Sequence, residues 1–372
     1  MITALGAQGV EVIRHCAADG PKSLAANPDL AHIHGIWSPA LMRRFFEWRK
    51  RGVPCLVTVH GMLEPWALAH KPLKKKLAWH IYQKWWLDMA AALHATSERE
   101  AMNLRKLGLR PPIAMIPWGV EIPEDRGQWT EGGVQEEGEG GTNIKHRTFN
   151  VEHRTVEERC DDRTSHTGSS TAQRHRNTEA PKHRTALFVG RIYPVKGLPL
   201  LVEAWARVRP EGWKMRIVGP DEAGHRVEVV DLVRKAGLEA EFEFAGPMEG
   251  EQLEKAYQEA DLLIAPSHTE NFGMAIAEAL AHGLPVITTQ GAPWPGLLEH
   301  QCGWWPPTNA AELAVALREA TSLRPEQLGE MGDRGRRWMQ RDYAWTGVAR
   351  QFLDVYECMI GKGQWPGCVM LP

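Results

Sequence analysis

The sequence predicts an α/β fold in which two Rossmann-like domains, each built on a parallel sheet, face a cleft. Short β-branched segments such as CLVTVHG and TALFVGR alternate with segments such as LPLLVEAWARV, whose apolar residues recur at helical spacing. This alternation is typical of βαβ units. It occurs on both sides of a polar central segment, and 372 residues suffice for about two domains. We therefore expect a ligand in the cleft, at the carboxyl ends of the strands.

The composition argues against several classes of protein. The formal net charge is -2, so no global charge attracts nucleic acid or membranes, and 43% hydrophobic residues support real cores. Six cysteines without a CxxC spacing favour reduced thiols over a disulfide framework. The N-terminus lacks the pattern of a signal peptide, and no uncharged apolar run reaches the ~18 residues of a membrane span. These features predict a cytoplasmic protein.

Composition divides the chain into five parts. Residues 1–123 form the predicted first domain and residues 184–334 the second, followed by a helix over 335–360 and a disordered tail over 361–372. The segment 124–183 has few apolar residues, is rich in Gly, Glu, Thr, Arg and His, and nearly repeats NIKHRTF as NVEHRTV. Such a composition buries too little surface to offset chain entropy, so we predict a disordered insertion. A metal site is the less favoured interpretation, because the histidines lack ligand spacing.

The segment LFVGRIYPVKG carries two cations after a predicted strand. The strand ends at Gly190, and Arg191 and Lys196 follow on a loop bounded by glycine and proline. Arginine can grip two phosphate oxygens and lysine acts as a point charge, so the pair suits a diphosphate. The pattern is not a Walker loop. Surface charge on an ordinary turn explains the two residues equally well when they are taken alone.

A second segment, ENFGMAIAE, carries Glu270 and Glu278 at its ends. Eight helical steps would separate them by ~12 Å along the axis, which exceeds the ~5–9.5 Å between the two carboxyls of typical glycosidases. Hydrolysis by this pair is therefore disfavoured. We predict that Glu270 lies just before a helix and Glu278 within it, with Asn271 or Thr269 as the N-cap.

A nucleotide diphosphate sugar fits this segment better. Glu278 would accept hydrogen bonds from ribose hydroxyls, and Glu270 would hold the sugar. The N–H groups of the first helical turn, near Phe272 and Gly273, would face the phosphates, and a glycine lets the ligand approach the backbone. The alternative is that Glu270 merely complements a helix N-terminus, since two glutamates at this spacing are common by chance.

These segments together resemble a known family. GRIYPVKG, about eighty residues before ENFGMAIAEALAHGLPVI, resembles the carboxyl-terminal donor domain of family 4 glycosyltransferases, which are retaining enzymes with the GT-B fold and a Glu-x7-Glu signature. The resemblance covers nearly all of residues 185–360. HIHGIWSPA, VTVHGMLEPWAL, LHATSEREAMNLRKLG and IPWGVEIP look like the acceptor domain of the same family. The resemblance implies that the last helix crosses back to the first domain.

The resemblance assigns roles to individual residues. Arg191 and Lys196 match the pair that neutralises the donor diphosphate and the charge developing on the leaving group. Glu270 matches the glutamate near the donor sugar and the reaction centre, and Glu278 matches the one on the ribose. His60 matches an acceptor-domain histidine that approaches the donor sugar across the cleft.

Further donor-binding positions follow from the same resemblance. Asn271, Phe272 and Gly273 would line the sugar and the phosphates, and Gly190 would lie in the donor loop. Met248, in FAGPMEGEQL, stands where the family contacts the base.

The reaction that the resemblance implies is front-face transfer of a sugar with retention of the anomeric configuration. The two cations and the helix N-terminus would stabilise the departing diphosphate electrostatically. We therefore expect no metal ion and no cofactor, and the sequence has no evident DxD-type site. The leaving phosphate would act as the base for the acceptor hydroxyl.

Two features depart from the family's pattern. Members usually begin with a strand and a glycine-rich loop, whereas this chain starts inside the helix that follows them, so we expect a missing loop near the donor and leave the activity of the chain open. Trp118, in IPWGV, stands where the family usually has asparagine.

We expect a glycosyltransferase of surface polysaccharide or glycolipid synthesis, with a glycan or lipid-linked acceptor and no nucleic-acid partner. The basic and aromatic segment 71–87 would touch anionic membrane at its inner face. A solvated helix face with buried tryptophans is the slightly favoured alternative for that segment. A GT-B nucleotide-sugar epimerase and a non-catalytic nucleotide-sugar binder are the competing functions.

Overall fold

Two largely parallel sheets, one in each predicted domain, form the framework of the protein. The computed structural model describes residues 1–16, 28–69, 72–123, 147–153 and 183–372. Within these residues the strands of each sheet run parallel, apart from one antiparallel strand near the end of the chain. The predicted α/β class and the two Rossmann-like domains are confirmed.

The first sheet belongs to the first domain and has seven strands. They are β1 (Val10–Cys16), β2 (Leu30–His34), β3 (Cys55–Thr58), β4 (Ala92–Ala95), β5 (Ile113–Met115), β6 (Arg147–His153) and β13 (Val369–Met370). Their order across the sheet is β1-β6-β2-β3-β4-β5-β13. Every residue of β2, β3 and β4 is buried, as expected for a parallel sheet with both faces covered.

The described part of the first domain also contains six helices. They are α1 (Ile2–Gly6), α2 (Pro39–Lys50), α3 (Pro65–Ala69), α4 (Pro72–Ala78), α5 (Lys84–Leu87) and α6 (Glu98–Lys106), and a π-helical turn over Trp79–Gln83 joins α4 to α5. α2 starts at a proline, whose missing N–H costs nothing at the first helical position. It buries Leu41, Phe45 and Trp48 against the sheet. No described helix has the length and apolar character that a membrane span requires.

The second sheet has six parallel strands. They are β7 (Arg184–Val189), β8 (Trp213–Val218), β9 (Phe242–Gly246), β10 (Leu262–Ala265), β11 (Val286–Thr288) and β12 (Gly303–Trp304), in the order β12-β11-β10-β7-β8-β9. The strand order therefore reverses between β7 and β10. In open α/β sheets such a reversal opens a crevice outside the carboxyl ends of the two strands, where ligands bind.

Helices cover both faces of the second sheet. They are α7 (Leu198–Val208), α8 (His225–Ala236), α9 (Glu251–Glu259), α10 (Met274–Ala281), α11 (Gly296–Glu299), α12 (Ala310–Ser322) and α13 (Pro325–Asp342), and α14 (Trp345–Met359) follows them in the chain. Trp205, Met215 and Leu317 are among the residues of the main core of this domain, and each is fully buried.

The predicted single helix over 335–360 is in fact two helices, so this prediction is wrong in part. The chain leaves helical geometry at Tyr343 and Ala344, where Val120 of the interdomain crossing forms an isolated parallel bridge and donates its N–H to the Tyr343 carbonyl at 2.8 Å. The Tyr343 carbonyl thus contacts the interdomain crossing at the point where the two helices meet. Beyond this break, α14 does return to the first domain, where Phe352 and Tyr356 pack under the first sheet.

The tail over 361–372 is structured, contrary to the prediction of disorder. β13 pairs with β5 as the antiparallel edge strand, and Arg105 donates to the Met370 carbonyl at 2.8 Å. Trp365 packs against the cluster beneath α14. The tail is ordered because the edge of β5 offers backbone partners that the sequence alone does not reveal.

The prediction of disorder over 124–183 is wrong for residues 147–153. These residues form β6, which lies between β1 and β2 and pairs in parallel with both. Residues 124–146 and 154–182 of the predicted insertion lie outside the described residues.

Candidate functional site

A cavity of about 440 Å³ lies at the reversal point of the second sheet and faces the first domain. It is within the size range of ligand pockets. Nine of the ten predicted site residues line it, namely His60, Gly190, Arg191, Lys196, Glu270, Asn271, Phe272, Gly273 and Glu278. Met248 is not among the lining residues and packs against the core of the second domain.

The loop after β7 closely approaches the loop after β10 at Gly197 and the loop after β8 at Gly219. A Cβ on Gly197, which has a φ of 70°, would come within 2.0 Å of the Pro266 carbonyl oxygen. A Cβ on Gly219 would come within 2.0 Å of the Gly190 carbonyl oxygen. Residues with side chains would push these segments apart. The glycines therefore bring Lys196, at the end of a short 3-10 turn, next to the loop that carries Glu270.

Lys196 and Glu270 form the central ion pair of the cavity. Lys196 Nζ lies 2.6 Å from Glu270 Oε1, and the two side chains are only 19% and 16% exposed. Ser267 Oγ donates a second hydrogen bond to the same oxygen at 2.8 Å. Glu270 is therefore oriented from two sides, and its other oxygen, Oε2, is not used by either contact.

Arg191 lies on the rim of the cavity and is 53% exposed. Its guanidinium group pairs with Glu222 and lies 5.7 Å from the centre of the Tyr193 ring. Both partners of the ion pair are solvated, so the pair is weak and a phosphate group could displace Glu222. The cavity thus has one sheltered cation, Lys196, and one exposed cation, Arg191, at its mouth.

Helix α10 points its N-terminus into the cavity. It starts at Met274, and its N-cap is Gly273 with a φ of 88°, so the prediction of Asn271 or Thr269 as the N-cap is wrong. The left-handed backbone at this position favours glycine over a capping side chain. Gly273, Met274 and Ala275 line the cavity, and N–H groups of a first helical turn have no partners within the helix. They are available to an anionic ligand.

The ~12 Å separation expected for Glu270 and Glu278 assumed a continuous helix between them, and the start of α10 at Met274 shows that this assumption is wrong. Only the residues from Met274 onwards are helical, so the eight steps between Glu270 and Glu278 do not form one helix. Phe272, in the nonhelical stretch, is 6% exposed and packs on Trp294 with 5.3 Å between ring centres. This contact fixes the loop while leaving its backbone at the cavity wall.

Glu278 is oriented by Tyr257, a residue that the sequence analysis did not single out. The Tyr257 hydroxyl donates to Glu278 Oε2 at 2.8 Å, and the ring is 2% exposed and stacks on His282. Burial raises the pKa of Tyr257 well above its ordinary value, so the hydroxyl stays protonated and keeps donating. Glu278 also lines an adjoining cavity of about 570 Å³ between α9 and the interdomain crossing.

The first domain contributes His60 and Trp118 to the cavity. The His60 ring stacks on the Trp118 ring at 5.6 Å between centres, and His34 Nδ1 lies 3.1 Å from His60 Nε2. His60 has a φ of 51°, a left-handed conformation that is uncommon for residues other than glycine. Such strain persists where surrounding contacts enforce it. Here the stacked indole and the neighbouring imidazole hold the His60 ring at the cavity.

A buried chain of hydrogen bonds connects the histidines behind His60 to α14. His94 Nε2 contacts the Ile116 carbonyl at 2.7 Å, and burial lowers the pKa of His94 to about 3, so this nitrogen donates and the ring is neutral. His94 Nδ1 then accepts from Thr58 at 2.9 Å, and the Thr58 oxygen accepts from His32 Nε2 at 2.6 Å. His32 Nδ1 lies 2.7 Å from the Tyr356 hydroxyl on α14.

Within the described residues, no group of three or more His, Cys, Asp or Glu side chains is arranged to hold a metal ion. Among these residues, the positive charges that face the cavity are those of the Lys196 and Arg191 side chains. They line the cavity together with the α10 N-terminus, a carboxylate on the loop before the helix and another carboxylate within the helix. This arrangement can bind a ligand that has an anionic centre and hydroxyl groups at two ends.

Two family models match the chain, one in each half. The model described as "Glycosyl transferases group 1" matches residues 169–338, and the model described as "Glycosyl transferase 4-like domain" matches residues 2–119. The first match contains the loop of Lys196 and the segment from Glu270 to Glu278. The second contains His60 and Trp118.

Curated relatives match mainly over part of their length. A D-inositol 3-phosphate glycosyltransferase of Saccharomonospora viridis is 30% identical over 179 residues, which is 45% of this chain and 41% of that protein. The protein of the same name from Actinosynnema mirum is 35% identical over 161 residues, which is 38% of this chain and 39% of that protein. The matched region thus spans less than half the length of these relatives.

Solved structures share the fold at low identity. Sucrose-phosphate synthase from Thermosynechococcus elongatus has a TM-score of 0.64 and 20% identity, covering 90% of this chain and 74% of that one. Anabaena HepE in complex with UDP-glucose has a TM-score of 0.61 and 16% identity, covering 88% of this chain and 78% of that one. These likenesses agree with a GT-B arrangement of the two domains.

Proposed function

Because the chain belongs to the group 1 glycosyltransferase family, we propose that it transfers a sugar from a nucleotide diphosphate sugar to an acceptor hydroxyl. The strongest support is one juxtaposition. Lys196, Arg191 and the first turn of α10 line the same cavity as Glu270, which is on a loop, and Glu278, which is on the helix. A diphosphate joined to a sugar and a ribose presents groups that suit these cations, backbone N–H groups and carboxylates.

The diphosphate would lie against Lys196 and the first turn of α10. Arg191 would swing from Glu222 to the phosphate oxygens, since an exposed ion pair exchanges at little cost. Backbone N–H groups and the helix dipole favour the negative charge at this position. Charge that develops on the leaving diphosphate would be stabilised by groups already in place, which is a major source of catalysis.

The sugar would lie beside Glu270, opposite His60 of the first domain. Lys196 would move from Glu270 Oε1 toward the diphosphate when the donor binds, and Ser267 would continue to orient the carboxylate. Glu270 would then accept hydrogen bonds from sugar hydroxyls. His60 approaches from the acceptor side, so the acceptor hydroxyl would enter between it and the sugar.

The nucleoside would extend past Glu278 toward the adjoining cavity. Tyr257 occupies one carboxylate oxygen of Glu278, which leaves the other to accept from ribose hydroxyls. Glu278 and Met274 line both cavities, so a ligand longer than either can run from one to the other. Because HepE is in complex with UDP-glucose, UDP-sugars are the first donors to test.

We propose that transfer retains the anomeric configuration. The bond from the anomeric carbon to the phosphate oxygen breaks, and the acceptor oxygen bonds to the same carbon on the same face. The acceptor proton passes to the departing phosphate oxygen, so the step balances without an added base. Lys196, Arg191 and the helix N-terminus supply positive charge at the diphosphate, and the step as written needs no metal ion or cofactor.

Turnover against UDP-, GDP- and ADP-sugars, with and without sugar acceptors, tests the proposal. Transfer should occur with one donor class, and Glu270→Gln should lower kcat at least a hundredfold, because a neutral amide accepts weaker hydrogen bonds than a carboxylate. Conversion of one nucleotide sugar into its epimer without an acceptor would identify an epimerase. Binding of a nucleotide sugar without turnover would identify a non-catalytic binder. If Glu270→Gln kept both the activity and the donor affinity of the wild type, the proposed site would be refuted.

We also propose that the enzyme works at the inner face of a membrane on a lipid-linked or glycan acceptor, in surface polysaccharide or glycolipid synthesis. Four large apolar side chains form an exposed line along α4, the π turn and α5, here called the apolar stripe. Their exposed fractions are 83% for Leu73, 63% for Leu77, 66% for Ile81 and 60% for Trp85. A contiguous apolar surface of this kind on a soluble domain marks an interaction site.

The π turn keeps the apolar stripe straight. Side chains four residues apart drift by ~40° per step on a regular helix, so three steps would carry the last one ~120° around the axis. The π turn over Trp79–Gln83 takes one additional residue and removes about 100° of this drift. Trp79 and Trp86 pack in the core, whereas Trp85 points outward. The interpretation of a solvated face with only buried tryptophans is therefore disfavoured.

An anionic lipid surface fits the stripe better than a second copy of this chain. Lys74 and Lys76 are exposed beside it, and the sequence has no Asp or Glu from residue 65 to residue 87. Two such basic faces would repel each other, whereas basic residues beside apolar ones suit an anionic membrane interface. Trp66 is 43% exposed and its ring contacts Tyr193 beside Arg191, so the surface borders the cavity mouth.

A further inference from the structure

Residues 94–100 of the first domain touch the loop that carries Glu270 in the second. This stretch runs from the end of β4 into the first turn of α6, where Ser97 is the N-cap. Three of its side chains reach across the cleft, and the weakest of these contacts is that of Ser97 Oγ with the Asn271 carbonyl at 3.5 Å. Arg99 and Thr96 contact the backbone of Glu270 and the side chain of Asn271, respectively.

Arg99 binds two loops of the second domain at once. Its Nη2 donates to the Glu270 carbonyl and its Nη1 to the Gln290 carbonyl at 3.4 Å. The loops after β10 and β11 are themselves connected, because the Glu270 N–H donates to the Gly291 carbonyl at 2.9 Å. A guanidinium group presents several donors in a fixed plane, so one arginine can fix both carbonyls.

Thr96 is oriented by a buried carboxylate. Glu100 is 2% exposed and accepts from the Gly61 N–H at 2.7 Å, the Thr96 N–H at 2.8 Å and the Thr96 hydroxyl at 3.1 Å. The single hydroxyl proton of Thr96 therefore points to Glu100. Its oxygen is left to accept from Asn271 Nδ2, which lies 2.9 Å away. Asn271 is therefore the donor and Thr96 the acceptor in this contact, because Glu100 of the first domain already binds the Thr96 hydroxyl proton.

Gly61 permits the close approach of the two domains. A Cβ at this position would lie 2.9 Å from Asn271 Cβ and 3.0 Å from its Cγ. Real Cβ atoms do not come this close to a neighbour without displacing it. The contact between Thr96 and Asn271 therefore depends on a glycine in the opposite loop, one residue after His60.

We infer that Arg99 and Thr96 are positioning residues that hold the Glu270–Asn271 loop from the acceptor-side domain. Here the two are called the interdomain latch. On the donor side the Glu270 carboxylate is held by Lys196 and Ser267. When Lys196 turns to the diphosphate, the latch remains to keep the loop in place, and it does so only when the cleft is closed. The catalytic part of this inference rests on the proposed function.

Single substitutions separate positioning from donor binding. Arg99→Met and Thr96→Val should each lower kcat about tenfold or more, because small displacements of a reacting group cost large factors in rate. The donor dissociation constant, measured by calorimetry, should stay within about twofold, because the groups that face the diphosphate belong to the second domain. Thr96→Ser should restore kcat, since it keeps the hydroxyl. Arg43→Met, on the exposed face of α2, is the matched control for the loss of an arginine.

Solution scattering supplies a readout that does not need activity. The radius of gyration of Arg99→Met should exceed that of the wild type and of Arg43→Met, because the closed arrangement loses two hydrogen bonds across the cleft. An unchanged radius together with an unchanged kcat would overturn the inference. A raised KM with an unchanged kcat would also overturn it, since the residues would then bind the donor. If the wild type binds no nucleotide sugar, the proposed function fails, and scattering alone decides the latch.

Discussion

Lys196 and Glu270 form an ion pair with 2.6 Å between Nζ and Oε1, although one is proposed to bind the diphosphate and the other the sugar. The pair is mostly buried, and a third group, Ser267, hydrogen-bonds the same carboxylate oxygen. Lys196 therefore already lies beside the proposed diphosphate position, and the Glu270 carboxylate is already oriented. Donor binding exchanges one anionic partner of Lys196 for another, so no cation has to be brought in from solvent.

Replacing Lys196 by methionine should lower kcat/KM for transfer by about 10²–10³, the usual cost of removing one electrostatic donor to a developing anion. Steady-state kinetics with the preferred donor measures this effect. Lys255→Met is the control, because Lys255 is 73% exposed on α9 and its ion pair with Glu259 lies on the surface. A loss smaller than threefold in Lys196→Met would contradict the assignment of Lys196 to the diphosphate.

Replacing Tyr257 by phenylalanine should weaken nucleotide binding about tenfold. The change removes the hydroxyl that orients Glu278, and hydrogen bonds to charged groups contribute ~1.5–3 kcal/mol. Calorimetric titration with the free nucleoside diphosphate measures the effect without chemistry. Tyr82→Phe, in the π turn of the first domain, should leave the affinity unchanged. Equal nucleotide affinities of the wild type, Tyr257→Phe and Tyr82→Phe would show that Tyr257 does not contribute to nucleotide binding.

Replacing Gly61 by alanine should lower both the stability and kcat. The loss of kcat should be larger than in a variant that loses the same stability elsewhere. A side chain at a φ of 66° costs roughly 1–2 kcal/mol, and the added Cβ would also meet Asn271. Gly52→Ala is a matched control, because Gly52 has a φ of 76° and nothing within 4 Å of its added Cβ. Thermal unfolding should shift similarly in both variants. Similar kcat values in the two variants would show that the close approach has no role in turnover.

The buried histidine should make folding sensitive to acid. Burial holds the pKa of His94 at about 3 in the folded protein, below its ordinary value of 6.5, so between these values the unfolded chain binds a proton that the folded chain does not. The stability that neutral His94 contributes is present above pH 6.5 and is lost as the pH falls toward 3, by up to about 1.4 kcal/mol per pH unit.

Urea unfolding between pH 7 and pH 4 measures this dependence. His94→Gln should flatten the pH dependence of the free energy of unfolding, whereas His80→Gln, at an exposed position, should leave it as in the wild type. A His94→Gln variant with the same slope as the wild type would show that another group titrates in this range.

The apolar stripe should bind vesicles that contain anionic lipid. The wild type should sediment with vesicles containing phosphatidylglycerol, less with pure phosphatidylcholine, and less as the salt concentration rises. Leu77→Glu combined with Ile81→Glu should reduce binding more than tenfold, because each apolar side chain contributes about 1.5–3 kcal/mol when buried. Val227→Glu, an exposed apolar position on α8, is the control. No sedimentation with either vesicle, or self-association that the double variant abolishes, would contradict a lipid partner.

The sequence predicted the parts of the fold and the site that depend on local pattern. Strand and helix periodicity indicated both parallel sheets, and the loops of Lys196 and Glu270 followed predicted strands whose carboxyl ends meet at one point. Local pattern failed at α10, where a left-handed glycine rather than a capping side chain begins the helix. It also failed at Tyr343, where the helix breaks and the distant Val120 donates to the Tyr343 carbonyl.

Contacts between segments far apart in the chain could not be predicted. Tyr257 has the apolar spacing of a core residue, and only the packing of α9 on α10 brings its hydroxyl to Glu278. Thr96 and Asn271 are separated by 175 residues and meet only when the domains face each other. The strand over 147–153 has a polar composition, and it is stabilised by the two strands that it pairs with rather than by its own pattern.

The first sheet takes its edge strand from residues 369–370, and its supporting helix α14 from residues 345–359. Its described strands therefore cannot all be present until residue 370 has left the ribosome. The described strands of the second sheet lie between residues 184 and 304, so each of them is synthesised before β13. During translation the second domain can form its sheet before the first domain completes its own, which reverses the usual order in which domains fold.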